Sequence, residues 1–150
     1  MSAFVAFLHH VLFVVIMLML FGELLLLKEP LTLATARKIQ RYDAVYGAAA
    51  GLIIVVGVLR VMYFEKGADY YLHSAPFIAK MALFLAAGLL SIYPTVTFLK
   101  WNSALKQNIA PTLPHATART LRMVLHMEAS LLVLVILCAA MMAKGIGYTG

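Results

Sequence analysis

Four long apolar runs separated by short polar segments constrain this chain more than any other feature. The runs cover about residues 3–27, 44–64, 77–99 and 120–143. As an α-helix, which rises about 1.5 Å per residue, each run is long enough to cross a hydrocarbon core of about 30 Å. We therefore predict an all-α integral membrane protein, a four-helix antiparallel bundle that forms a single transmembrane domain over residues 1–150.

The composition agrees with lipid as the solvent of this chain. Hydrophobic residues make up 64% of it and charged residues 12%, whereas soluble domains have roughly 45–50% and about 25%. The net charge of +6 comes from basic residues that flank the apolar runs without forming a dense patch, which argues against nucleic-acid binding. The first run lacks the basic start and the cleavage site of a signal peptide, so we expect it to persist as a spanning helix.

The distribution of Lys and Arg predicts the orientation. Eight fall on the side reached after the first span: Lys28, Arg37, Lys38, Arg41, Lys100, Lys106, Arg119 and Arg122. Four fall on the other side: Arg60, Lys66, Lys80 and Lys144. By the positive-inside rule we expect a multi-pass protein of the bacterial inner membrane with both termini in the periplasm. Of the connecting segments, residues 31–42 suggest a short helix on the membrane surface and residues 102–118 an irregular loop.

A small-residue motif in the second run indicates close helix packing. Gly47 and Gly51 form a GxxxG unit, and the absence of large side chains lets a neighbouring backbone approach. Packing within the bundle is the first expectation, and a homo-oligomer through this face is the alternative.

Ionisable residues gather at one end of the predicted bundle. His9 and His10 lie about two turns inside the first helix, and Arg60 and Lys80 lie about one turn inside the second and third. Such groups are costly in a membrane and each needs a partner, a water-filled cavity or a route to the interface. Adjacent helical residues point about 100° apart, so only one histidine faces the bundle centre. The polar and aromatic loop 65–75, which contains His73, is expected to cover this layer.

A second polar layer is predicted near the other end. Its members are Glu23 on the first helix, Tyr93 and Pro94 on the third, and Arg122, His126 and Glu128 on the fourth. Glu128 points away from His126 by about 160°. One interpretation is an ion pair between Glu23 and Arg122 that sets the helix register, and the other is a proton path between the two layers.

The chain resembles a bacterial family of predicted four-span membrane proteins of unknown function. The resemblance rests on Arg41-Tyr-Asp-x-x-Tyr-Gly, Arg60-Val, Phe64-Glu-Lys-Gly-Ala-Asp-Tyr-Tyr71, Phe77-x-x-Lys80 and Ser91-Ile-Tyr-Pro94. The plan is also similar to HemJ-type protoporphyrinogen oxidases, which bind haem, and to CopD-like copper-handling proteins. That similarity implies a haem- or metal-ligating histidine at His9 or His10 and matches Lys80 to the lysine of the third helix.

Three functions remain open at this point. In the leading hypothesis a redox membrane protein binds haem b, with a histidine of the first helix on the iron and Arg60 or Lys80 near the propionates. The alternative is a small copper transport or binding protein without haem, whose ligands are His9, His10, His73, Met62 and Met81. The third is a structural or assembly subunit of a membrane complex, which needs no cofactor.

Overall fold

The computed structural model describes residues 2–64, 71 and 73–147, and the described residues form helices and no strand. Four helices are long and apolar enough to span a membrane, namely α1 (Ser2–Leu26), α2 (Leu33–Leu59), α3 (Ala75–Leu99) and α5 (His115–Ala143). A π-helix (Arg60–Phe64) continues α2, and a short helix α4 (Asn102–Lys106) follows α3. The predicted all-α membrane bundle with four spanning helices is confirmed.

The spanning helices form two closely packed pairs. α1 packs closely on α2 and α3 packs closely on α5, while smaller contacts join α1 to α5 and α2 to α3. Consecutive spans run in opposite directions along the chain. Each helix is therefore antiparallel to the two helices that it contacts. We call the end that holds residues 2–9, 60–64, 71, 73–80 and 140–147 the π-helix end, and the end that holds residues 22–46 and 93–128 the opposite end.

Helix α2 begins earlier than its hydropathy predicted. Thr32 caps its start by accepting a hydrogen bond from the backbone N–H of Thr35 at 3.1 Å. The first turns then bury Thr35, Ala36 and Ile39 in the bundle. The prediction of a separate surface helix in residues 31–42 is therefore wrong, because this segment is the start of α2. Asp43, which directly precedes the apolar run that begins at residue 44, lies inside α2 and is buried.

The segment between α3 and α5 is also more ordered than predicted. Helix α4 occupies part of it, and α5 begins at His115, directly after Pro114. Two side chains of α2 hold the segment in place. Gln40 donates to the carbonyl oxygen of Phe98 at 2.6 Å, and Arg37 donates to the side-chain oxygen of Asn108 at 2.8 Å. The prediction of an irregular loop over residues 102–118 is therefore correct only for its middle part.

The interior is largely apolar, and the outer face is apolar as well. The most deeply buried apolar side chains include those of Ile16, Leu20, Ile39, Phe98, Leu121, Leu125 and Leu132. Large exposed side chains include Phe4, Leu18, Leu85 and Leu137. An exterior of this kind is stable only in contact with lipid.

The GxxxG motif lies on that exterior. Gly47 and Gly51 are exposed, and a Cβ atom added to either would meet no other atom within 4 Å. The expectation that this motif packs within the bundle is therefore wrong. A glycine that does allow close packing of two helices is Gly22, where an added Cβ would overlap the ring of Tyr42.

Candidate functional site

A cavity of about 220 Å³ opens near the π-helix end, between α1, α2 and α3. Its lining is mostly apolar and combines side chains of α1, α2, the π-helix, α3 and α5. The lining residues are His9, Phe13, Ile53, Ile54, Gly57, Val58, Arg60, Val61, Met62, Tyr71, Phe77, Lys80, Met81, Phe84, Val135 and Met142. Several of them, including Met62, Ile54 and Met81, are exposed to the lipid-facing surface. The cavity is therefore open toward the bilayer between α2 and α3.

The two adjacent histidines have different environments. His9 lines the cavity and lies against Gly57 of α2, where an added Cβ would come within 3.4 Å of the ring. Its Nδ1 atom is buried and has no hydrogen-bond partner among the described residues. His10 is exposed, and its Nδ1 atom lies 2.6 Å from the carbonyl oxygen of Ala6 in the same helix. Of these two histidines, His9 is the one that is placed to hold a ligand in the cavity.

Arg60 and Lys80 line the same cavity as His9. Arg60 is the first residue of the π-helix, and Lys80 lies in the second turn of α3. The Lys80 Nζ atom lies 5.0 Å from the centre of the Phe77 ring, in the range of a cation–π contact. Phe77 in turn contacts the buried Tyr71, with ring centres 5.1 Å apart. The structure thus brings together a histidine, two cations and two aromatic rings.

The predicted metal ligands are not brought together. His73 is exposed, and His10 points away from the cavity. Within residues 2–64, 71 and 73–147 no group of three His, Cys, Asp or Glu side chains is arranged to hold a metal ion. Met62 and Met81 do line the cavity with His9. The predicted loop residues Glu65, Lys66, Asp69 and Tyr70 lie outside the described residues.

The second polar layer differs from its prediction. Glu23 of α1 and Glu128 of α5 are buried, as are Asp43 and Tyr46 of α2. The Tyr46 hydroxyl donates to Glu128 at 3.0 Å. The two glutamates were predicted as members of this layer from the sequence, whereas the two residues of α2 were not. The signal that identifies them is their spacing of three residues, which places both on the same face of a helix.

The predicted ion pair between Glu23 and Arg122 is not formed. Arg122 donates to the carbonyl oxygen of Ala118 in its own helix, and Glu23 Oε1 is buried without a partner among the described residues. His126 is exposed and contacts the carbonyl oxygen of Arg122. The prediction that Glu128 and His126 point in different directions is confirmed, since Glu128 is buried.

These observations define a multi-pass membrane protein with two polar layers inside an otherwise apolar bundle. Residues 1–147 match the family described as "Predicted membrane protein (DUF2214)", and the chain belongs to that family. The predicted membership in a membrane-protein family of unknown function is confirmed. No curated protein and no solved structure matches the chain. The similarity to haem oxidases and copper-handling proteins therefore gains no support from these comparisons.

Proposed function

We propose that this protein binds an amphiphilic anion in the cavity at its π-helix end, and that the ligand is haem b in a redox role. The observation that carries the proposal is that His9, Arg60 and Lys80 line one apolar cavity open to the bilayer. Apolar walls with a few polar groups are typical of sites for small molecules and cofactors.

The side chains present fit the chemistry of haem. His9 offers an imidazole whose Nδ1 atom is buried and accepts no hydrogen bond from the described residues, and histidine is a common axial ligand of haem iron. Arg60 and Lys80 provide positive charge for two carboxylates. When bound, haem would supply one-electron chemistry, which the protein tunes through the axial ligand and the polarity around it.

The size of the cavity limits how a ligand is enclosed. Its volume of about 220 Å³ is below the range of roughly 300–1,000 Å³ usual for ligand clefts. A porphyrin is larger than this cavity, so the cavity would hold only part of the ring. The side chains at that opening, such as Met62 and Met81, are apolar and face the lipid, which suits the apolar edge of a macrocycle.

The test is haem binding by the purified protein and by two histidine variants. Wild-type protein reconstituted with haem is expected to show a Soret band, and His9→Ala is expected to lose it. His10→Ala is the matched control, because His10 is exposed and outside the cavity, and it is expected to retain the band. Absence of a Soret band in folded, haem-supplemented wild-type protein refutes haem as the ligand.

The same preparations test the copper alternative. If copper is bound through His9, Met62 and Met81, then metal analysis of the wild-type protein finds it, and Met81→Leu lowers the copper content without affecting a haem spectrum. A wild-type protein that binds neither ligand and retains partner proteins in mild detergent would point to an assembly role.

The proposal includes a location and an orientation. We place the protein in a bacterial inner membrane with the π-helix end in the periplasm, because eight of its 12 Lys and Arg residues lie toward the opposite end. Reporter fusions at residue 150 and within the segment 107–114 test this orientation. Activity of a periplasm-specific reporter at the second position and not at the first contradicts it.

The outward-facing Gly47 and Gly51 support a further part of the proposal, a homodimer formed by α2. Both glycines are exposed on a spanning helix, and small residues at this spacing allow two such helices to approach closely. Gly51→Leu is expected to shift the detergent-solubilised protein from dimer to monomer in light scattering. A wild-type protein that is monomeric at all concentrations contradicts the dimer.

A further inference from the structure

Three carboxyl groups lie inside the bundle near the opposite end. Glu23 is 2% exposed, Asp43 9% and Glu128 1%, and they come from α1, α2 and α5. Glu23 is close enough to both others for electrostatic interaction, and Glu128 is close enough to Asp43. We call Glu23, Asp43 and Glu128 the acid cluster. None of its members lines the cavity near His9.

The hydrogen bonds of the acid cluster leave two buried oxygen atoms without a donor. Tyr46 donates to Glu128 Oε2 at 3.0 Å, and Thr95 of α3 donates to Asp43 Oδ1 at 2.7 Å. Glu23 Oε1 and Glu128 Oε1 are buried and accept no hydrogen bond from any described residue. Buried polar atoms are nearly always paired, so these two atoms indicate that something else occupies the cluster.

The charge of the acid cluster is not balanced by the described side chains. Tyr42 and Tyr46 of α2 and Thr95 of α3 carry no positive charge. On α5, Arg122 and His126 contact carbonyl oxygens of their own helix. No Lys, Arg or His among the described residues pairs with a member of the cluster. An unpaired carboxylate within a membrane is costly, and three close together are more so, so positive charge must come from solution.

The arrangement favours a proton over a metal ion as that charge. A metal ion needs several ligands around one point at short distances, and the described residues contain no such group. A proton needs only one carboxyl oxygen, and its binding removes a buried negative charge. We propose that the acid cluster is a proton-binding site of the membrane interior, with Glu23 as its principal proton carrier.

The acid cluster is nearer to the opposite end than to the layer of His9. Between it and the layer of His9 the described interior is apolar, with Ile16, Leu20 and Ile53 all buried. Along α1 the two layers are 14 residues, or roughly 21 Å, apart. The proton path between the layers that the sequence suggested therefore has no polar side chains to support it in the described interior. Glu23 is one turn from the end of α1, so protons exchange with the solution on that side.

Infrared spectroscopy of the intact protein in lipid tests the proposal. Wild-type protein at neutral pH is expected to show the C=O stretching band of protonated carboxyl groups, and the band is expected to move in heavy water. Glu23→Gln is expected to lose part of that band. The matched control is Glu29→Gln, the same substitution at an exposed residue six positions later, which is expected to leave the band unchanged.

A second variant assigns the Glu128 contribution. Tyr46→Phe removes the donor to Glu128 and is expected to shift one component of the band to higher frequency. Tyr63→Phe, which alters a tyrosine that is 70% exposed at the π-helix end, is expected to shift nothing. A merely structural role of Tyr46 would change stability without this shift.

Two results would overturn the proposal. One is a wild-type spectrum at neutral pH that contains only ionised carboxylate bands. The other is a carboxyl band that disappears when choline is replaced by sodium, potassium or magnesium at constant pH and ionic strength, which would identify a metal ion as the occupant. Both are measured on the wild-type protein, so they hold even if a variant fails to fold. Neither depends on haem binding at the other end.

Discussion

The contact between Gly22 and Tyr42 offers a direct test of how α1 and α2 pack. A Cβ atom added to Gly22 would overlap the Cε2 and Cδ2 atoms of the Tyr42 ring. Gly22→Ala therefore forces the ring or the helices to move, and overpacking of this kind typically costs about 1–3 kcal/mol. Replacing glycine by alanine within a helix also stabilises it by about 1 kcal/mol. We expect a net loss of up to about 2 kcal/mol in the free energy of unfolding.

The matched control is the same substitution at Gly88, in the middle of α3. A Cβ atom added there meets no other atom within 4 Å, so only the gain in helix propensity remains. Gly88→Ala is expected to stabilise by up to about 1 kcal/mol, which makes the expected difference between the two variants about 1–3 kcal/mol. That difference does not depend on the absolute helix propensity in a membrane, because both glycines lie inside spanning helices.

The assay is unfolding in mixed micelles of mild detergent and dodecyl sulfate, followed by circular dichroism. A double variant with Tyr42→Ala completes a mutant cycle, since removal of the ring should restore the benefit of alanine at position 22. Equal shifts of the unfolding midpoint for Gly22→Ala and Gly88→Ala would refute the reasoning. So would a coupling energy near zero between positions 22 and 42.

Two further substitutions test the opposite end by the same assay. Gln40→Ala removes the donors to the carbonyl oxygen of Phe98 and the side chain of Asn102, and we expect the free energy of unfolding to fall by about 1–2 kcal/mol. The control Gln107→Ala, at an exposed residue, should lower it less. Equal losses would contradict a role for these hydrogen bonds. Phe98→Ala empties a site that is 0% exposed and is expected to cost about 3–5 kcal/mol. Phe7→Ala alters a ring that is 64% exposed and should cost far less, whereas similar costs would mean that Phe98 is not in the core.

The helix bounds show where local pattern stops being sufficient. Hydropathy located the four spans because insertion into lipid depends on the length and apolarity of each segment alone. It placed the start of the second helix at residue 44, whereas α2 begins at Leu33. The added turns are polar on one side and bury Ala36 and Ile39 on the other. Whether such a segment continues a spanning helix depends on the neighbours available to cover its apolar side.

The candidate cavity was partly predictable. The depth of His9, Arg60 and Lys80 follows from their distance to the helix ends, which the sequence provides. Which of His9 and His10 faces inward depends on the rotation of α1 about its axis. In the structure His9 packs against Gly57, which is 48 residues away in the chain, so the rotation of α1 depends on a neighbouring helix.

The sequence by itself determined that this chain crosses the membrane four times and carries two polar layers. Both properties follow from the apolarity of each segment and from the distance of each polar residue to the end of its segment. Only the tertiary structure decided what those layers contain. In the structure Asp43 and Tyr46 are buried beside Glu128, and Glu23 forms no ion pair with Arg122. Such pairings depend on the relative rotation of several helices, which packing across the whole bundle sets and no single segment specifies.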